Sequence, residues 1–146
     1  MSLNTIIEHN RRLLTSYFEQ VWNQGQVDVL DELLATDYIN HSPSTPNPPA
    51  GPAGLKPIVQ AMRAGIPDLH YDILDMVVAP DKVAVYTRVT GTHSGELFGM
   101  PASHRKIDVR QMQVEWIRDG RIWQHWRITD EAALVRQILG QEPVQP

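Results

Sequence analysis

Apolar residues recur at three- and four-residue spacing from Asn4 to about Gln24, where Ile6, Ile7, Leu13, Leu14, Tyr17, Phe18, Val21 and Trp22 fall largely apart from Glu8, Arg11, Arg12 and Glu19. That period predicts an amphipathic helix ending near Gly25. A shorter helix is predicted from Val27 to Ala35, with Val29, Leu30, Leu33 and Leu34 on its buried side. The following stretch, "DYINHSPSTPNPPAGP", has five prolines between Pro43 and Pro52 and is expected to be a loop. A third helix is expected from Ala53 to Ala64, since Pro57 is tolerable in a first turn and Gly65 is a natural stop.

After Pro67 the period shortens. "LHYDILDMVVA" and "KVAVYTRVTGTH" are β-branched and aromatic runs flanking Pro80 and Asp81, which predicts two strands and a tight turn. A glycine-punctuated loop, "SGELFGMPASHRK", leads to the strand "IDVRQMQVEWIR"; Asp119-Gly120 then signals a hairpin into "RIWQHWRIT". A last helix is expected from Glu131 to Leu139, ending at Gly140, with a loose tail over 141–146. Helices first and strands after predict an α+β fold: one domain over 1–146, its three N-terminal helices packed on a curved antiparallel or mixed sheet.

A two-residue turn pairs Arg118 with Arg121 and sets the faces behind it. In unbroken register, Met112, Val114, Trp116, Trp123, His125 and Arg127 share one side. Ile107, Val109, Gln111, Gln113, Glu115, Ile117, Ile122, Gln124, Trp126, Ile128 and Asp130 share the other. His125 and Asp130 then point to opposite faces, unless a β-bulge intervenes. Both faces carry large apolar residues, and the helices cover only one. A homodimer is therefore expected, with a second copy on the remainder.

Composition changes this picture little. A chain of 146 residues is one domain in size, and 42% hydrophobic with 21% charged residues is ordinary for a globular protein. The net charge of −4, with Lys and Arg scattered singly, disfavours nucleic acid. Cysteine is absent, which removes thiol nucleophiles and cysteine-zinc sites and is compatible with a reducing compartment. Neither a signal pattern nor a bilayer-length apolar run is present, so a cytoplasmic protein without membrane contact is expected.

The face assigned to Asp130 also holds Gln111 and Gln113, amides amid Ile and Trp126, as in a small-molecule cavity. In apolar surroundings a carboxylate becomes a better proton acceptor near neutrality, so Asp130 is a candidate general base. It is equally a good N-cap for "EAALVRQ". His41 either reaches a pocket rim or bonds the proline-rich loop. His93 lies beside glycines that allow close backbone approach to a ligand or make an ordinary turn. Arg88 is a pocket cation for an oxyanion or half of an interface ion pair. His125 reads as a satisfied core or interface histidine. Tyr17 and Trp22 read first as core and also as candidate pocket walls. The six histidines form no HxH or HxxxH pair, so no metal is expected. Without GxSxG, GxGxxG or a phosphate loop, neither acyl-enzyme chemistry nor a nucleotide cofactor is indicated.

Five phrases in order resemble the SnoaL-like polyketide cyclases of the NTF2-like superfamily. They are "VWNQGQVDVLDELLATDYINHSP", "GPAGLKPIVQAMRAGIPDLHYDI", "DKVAVYTRVTGTHSGELFGMPA", "IRDGRIWQHWRITD" and "LVRQILG". The resemblance implies a cone-shaped α+β fold with a pocket at its mouth. It also implies cofactor-independent ring closure by intramolecular aldol chemistry on a hydrophobic oxygenated molecule, with the acid at Asp130 as base. Where members commonly read Thr-Gly after "GMP", this chain has Ser103 and His104. The alternatives are a non-catalytic ligand-binding module and an epoxide or ester hydrolase, for which Glu115 and Arg88 are the evident partners of Asp130.

Overall fold

The computed structural model describes residues 1–141. The tail expected to be loose lies outside the described residues except for Gln141. Ser2 caps the first helix, α1 (Leu3–Ser16), by accepting from Thr5 N. The chain then widens into a π-helical segment, Tyr17–Asn23, that turns Tyr17, Phe18, Val21 and Trp22 into the core. A 3₁₀ turn, Val27–Val29, runs into α2 (Leu30–Leu33).

The second predicted helix is too long. Leu34 leaves the helical region, and Leu34–Asn40 forms strand β1, where the sequence pattern predicts the end of a helix and a loop. The remaining elements are α3 (Pro52–Gly65), β2 (His70–Val78), β3 (Lys82–Thr92), β4 (Lys106–Arg118), β5 (Arg121–Thr129) and α4 (Glu131–Leu139). The sheet order is β1-β5-β4-β3-β2, with β1 parallel to β5 and the other pairs antiparallel. This is a mixed α+β fold, as expected.

The β4–β5 hairpin departs from the predicted faces. Arg118 pairs with Arg121 across the Asp119-Gly120 turn, both turn residues having positive φ, and Ile117 pairs with Ile122. Trp116, however, pairs with Gln124, so Trp123 is an extra, unpaired residue. From Gln124 onward every β5 side chain is therefore inverted relative to the expectation. His125 and Arg127 join Gln111, Gln113 and Glu115 on the inner face, while Gln124, Trp126 and Ile128 turn outward.

The inner face of the sheet is closed by Leu14, Phe18, Val21, Leu30, Leu55, Ile58 and Val59 from the helices, all buried against Val83, Val85, Val89, Ile107, Val109 and Ile122. Two polar clasps fix the end of the first helix over β2. Asn23 donates to Tyr71 O at 3.1 Å and accepts from Tyr71 N at 2.7 Å. Arg63, in the last turn of α3, donates to the carbonyls of Trp22 and Asn23 at 2.7 and 3.1 Å. Together they set Trp22 and Tyr71 beside each other, ring centroids 5.2 Å apart.

Candidate active site

A cavity of about 480 Å³ opens at one end of the sheet. Its apolar walls are Trp22, Met62, Phe98, Met100, Leu134 and Val135, and the proline-rich loop contributes Ser42, Pro43 and Ser44. The polar side chains at it are Tyr71, Gln111, Arg127, Thr129 and Glu131. A few polar groups converging in an apolar hollow is the usual composition of a small-molecule site.

The loops at the mouth are held by backbone chemistry. Gly95 lies so close to α3 that an added Cβ would sit 2.3 Å from Ala64 O, which explains the glycine in "HSGEL". The loop then presents Phe98, with φ +51°, as a half-exposed wall. His104 adopts φ +59°, a left-handed conformation that residues other than glycine seldom take. Ser103 joins that turn to His93, its hydroxyl 2.9 Å from His93 Nδ1.

The cavity side of the β4–β5 ladder is a polar series. Gln111 pairs with Thr129, Gln113 with Arg127, and Glu115 with His125, before Ile117 and Ile122 restore an apolar layer. Gln113 Nε2 donates to Gln111 Oε1 at 2.9 Å, which fixes the amide orientation of Gln111 and leaves its NH₂ as the donor on the Tyr71 side. Arg127 is tied to the proline-rich loop: its backbone N–H donates to Ser42 Oγ at 2.9 Å and its Nη2 to Ser42 O at 2.8 Å. Below the cavity, His125 Nδ1 and Glu115 Oε1 are 2.5 Å apart and both residues are buried. Glu115 Oε2, Tyr38 OH and Thr87 Oγ1 have no protein partner there.

Burial shapes the tyrosines. Desolvation pushes the Tyr71 phenol up to about 12, with Arg127 and Gln111 drawing it back. It is a neutral hydroxyl donor at physiological pH. Tyr17 and Tyr38 are raised further, first by burial and then by neighbours that include Glu115.

The sequence-predicted site residues divide by face. Gln111 and Trp22 line the cavity, Gln113 supports Gln111, and Tyr17 lies in the core beneath. Asp130 does not reach the cavity: it is exposed, and its carboxylate accepts from Ala133 N at 3.1 Å as the N-cap of α4. The bulge is the physical reason, because the inverted alternation carries Asp130 outward. Trp126 is likewise corrected to the outer face, where it stacks on His41 at 4.3 Å, and His41 bonds Gln124 instead of rimming the cavity. Arg88 is an exposed outer residue in a two-pronged pair with Asp108, at 2.9 and 2.7 Å, which holds the Asp108 carboxyl below its ordinary range. His93 is buried beneath the mouth loop and does not line the cavity.

Sequence reasoning missed Arg127, Tyr71, Glu131 and Thr129. Arg127 and Thr129 were hidden by the inverted register. Glu131 was read only as the first residue of a helix. Among the described residues, no group of three or more His, Asp or Glu is placed to hold a metal ion, and no helix is long and apolar enough to cross a membrane.

A mixed sheet backed by helices, with an apolar, amide-lined hollow at its open end, defines a small-molecule cavity protein. A family model described as SnoaL-like polyketide cyclase matches residues 12–138, and the chain belongs to that family. It is 29% identical over 143 residues to the aklanonic acid methyl ester cyclase DnrD of Streptomyces peucetius, covering 93% of this chain and 92% of that one. It is 27% identical over 118 residues to the nogalonic acid methyl ester cyclase of Streptomyces nogalater, covering 80% and 88% of the two chains. The solved structure of TsrD from Streptomyces laurentii aligns with a TM-score of 0.82 at 27% identity, over 90% of this chain and 95% of that one.

Proposed function

We propose that this protein is a cyclase-type enzyme that works by cofactor-independent acid–base chemistry on a hydrophobic, oxygenated small molecule. The observation carrying this reading is the convergence of Tyr71, Gln111 and Glu131 on one apolar cavity. Glu131 supplies the cavity's one carboxylate among the described residues, so the base role expected of Asp130 passes to its neighbour. Glu131 takes a proton from carbon next to a substrate carbonyl. The enolate oxygen is held by the Tyr71 hydroxyl and an N–H of Gln111. The enolate carbon bonds to a second carbonyl of the same molecule, and the proton returns to that carbonyl's oxygen. Product and substrate are isomers.

The test is incubation with a polyketide, such as aklanonic acid methyl ester or its free acid, followed by chromatography for a product of unchanged mass. Turnover that falls with Glu131→Gln supports the assignment. Turnover indifferent to Glu131→Gln, Tyr71→Phe and Gln111→Leu contradicts it.

A homodimer and a cytoplasmic location belong to the same proposal. The outer sheet face leaves Trp126 37%, Met112 49% and Ile128 79% exposed, an apolar patch of the kind a second copy covers. Sedimentation tests the dimer, and cell fractionation tests the location.

A further inference from the structure

The cavity carries one cation among the described residues, Arg127, and that cation has no carboxylate of its own. Its two protein bonds are neutral: the backbone N–H and one Nη2 hydrogen are given to Ser42. A guanidinium has five N–H donors, so most of its fork is uncommitted. The nearby acids are otherwise engaged or apart. Glu115 is paired with His125, Asp130 caps α4, and Glu131 lines the same cavity without forming an ion pair with Arg127.

Half-buried beside Trp22, Met62, Phe98 and Leu134, an unpaired guanidinium is costly unless an anion repays the desolvation. Ser42 holds it in place from the loop, which removes the freedom it would need to turn out to water. A planar fork in the wall of an apolar hollow matches a carboxylate two-prong to two-prong. We infer that the molecule bound in this cavity is a hydrophobic free acid whose carboxylate pairs with Arg127.

This inference rests on the cavity being the ligand site and goes further by fixing the charge of the ligand. The two cyclases compared above are named for methyl esters, in which the esterified carboxyl group carries no charge. The chemistry of this cavity selects the unesterified form.

The test uses a matched pair, anthraquinone-2-carboxylic acid and its methyl ester, titrated by calorimetry and by quenching of tryptophan fluorescence. The acid is expected to bind about tenfold or more tighter than the ester, as a charge-assisted bond contributes. Arg127→Gln is expected to bring the acid down to the affinity of the ester, which itself changes little, and Arg127→Lys to keep part of the preference. Equal or tighter binding of the ester by the unmodified protein overturns the inference and leaves the cavity as the ligand site. An acid preference that survives Arg127→Gln overturns it too. Binding of neither compound overturns the cavity reading and the inference together. The comparison of acid with ester on the unmodified protein decides the matter even where the Gln variant fails to fold.

Discussion

His125 Nδ1 meets Glu115 Oε1 at 2.5 Å inside the sheet, and the two are opposite each other because Trp123 is an extra residue in β5. Their burial is nearly complete, at 2% and 0% exposure, and the second carboxylate oxygen has no protein partner. Removing one member strands the other in a low-dielectric interior. Glu115→Leu or His125→Leu alone is expected to cost about 3–5 kcal/mol of stability. The double replacement is expected to cost less than the sum of the two, because neither polar group is left buried without its partner. Urea unfolding of the two single variants and the double variant checks this; strict additivity would mean that the pair is not coupled.

Deletion of Trp123 removes the bulge and leaves every later β5 residue on its present face, since Gln124 already pairs with Trp116. The shortened protein is expected to unfold cooperatively with a loss within the ~0.5–3 kcal/mol of an ordinary substitution. Deletion of Val114, in the regular part of β4, flips one side of the strand and is expected to abolish folding. Thermal melts of the two deletions provide the comparison. Equal damage from both would contradict the bulge.

Much of the fold was legible because it rests on local patterns: the 3.6 period of α1, the β-branched runs of β2 and β3, and the Asp-Gly turn. Strand β1 was not, because "LLATDYIN" is short, runs straight on from a helix and ends in prolines. The bulge was hidden for a different reason. An unbroken register buries Trp126, whereas the bulge leaves Trp123 and Trp126 both beside Trp116 on the outer face, so hydrophobicity favours the wrong register and does not reveal the bulge. Polar complementarity does: only the bulged register sets Glu115 against His125 and Gln113 against Arg127. Gln111 could be found by its place in the alternation of β4 and Trp22 by its place in the helical period, whereas Arg127 required knowing the bulge.

Asp130 and Glu131 are adjacent in sequence and differ in what they touch. Asp130→Ala removes the cap of α4 and is expected to cost about 1 kcal/mol, and Asp130→Asn close to nothing, since both Asp and Asn cap well. Chemical denaturation measures both. A loss from Asp130→Asn as large as that from Asp130→Ala would mean that the charge, and not the cap, matters there.

The Tyr71 phenol is raised from about 10 to about 12 by burial. Between those values the unfolded chain ionises and the folded protein does not, so the unfolded state binds fewer protons and stability falls as pH rises through the window. Tyr71→Phe is expected to lessen the fall. Stability measured at pH 9, 10 and 11 tests it, and an unaltered alkaline slope would show that the phenol is not desolvated.

The exposed row of Trp126 and Ile128 on the outer face is expected to pair two copies. Ile128→Glu places a charge in that patch and should shift the sedimenting species to a monomer without altering far-ultraviolet circular dichroism. A monomer in the unmodified protein would remove the interface.

Where the proton is moved is decided most directly by comparing Glu131→Gln with Asp130→Asn in turnover of the same polyketide. Loss of a general base costs about 10²- to 10⁴-fold. Glu131→Gln is expected to lose activity on that scale while Asp130→Asn retains it. The reverse, activity lost with Asp130→Asn and kept with Glu131→Gln, would place the chemistry at the strand end and contradict the cavity as the working site.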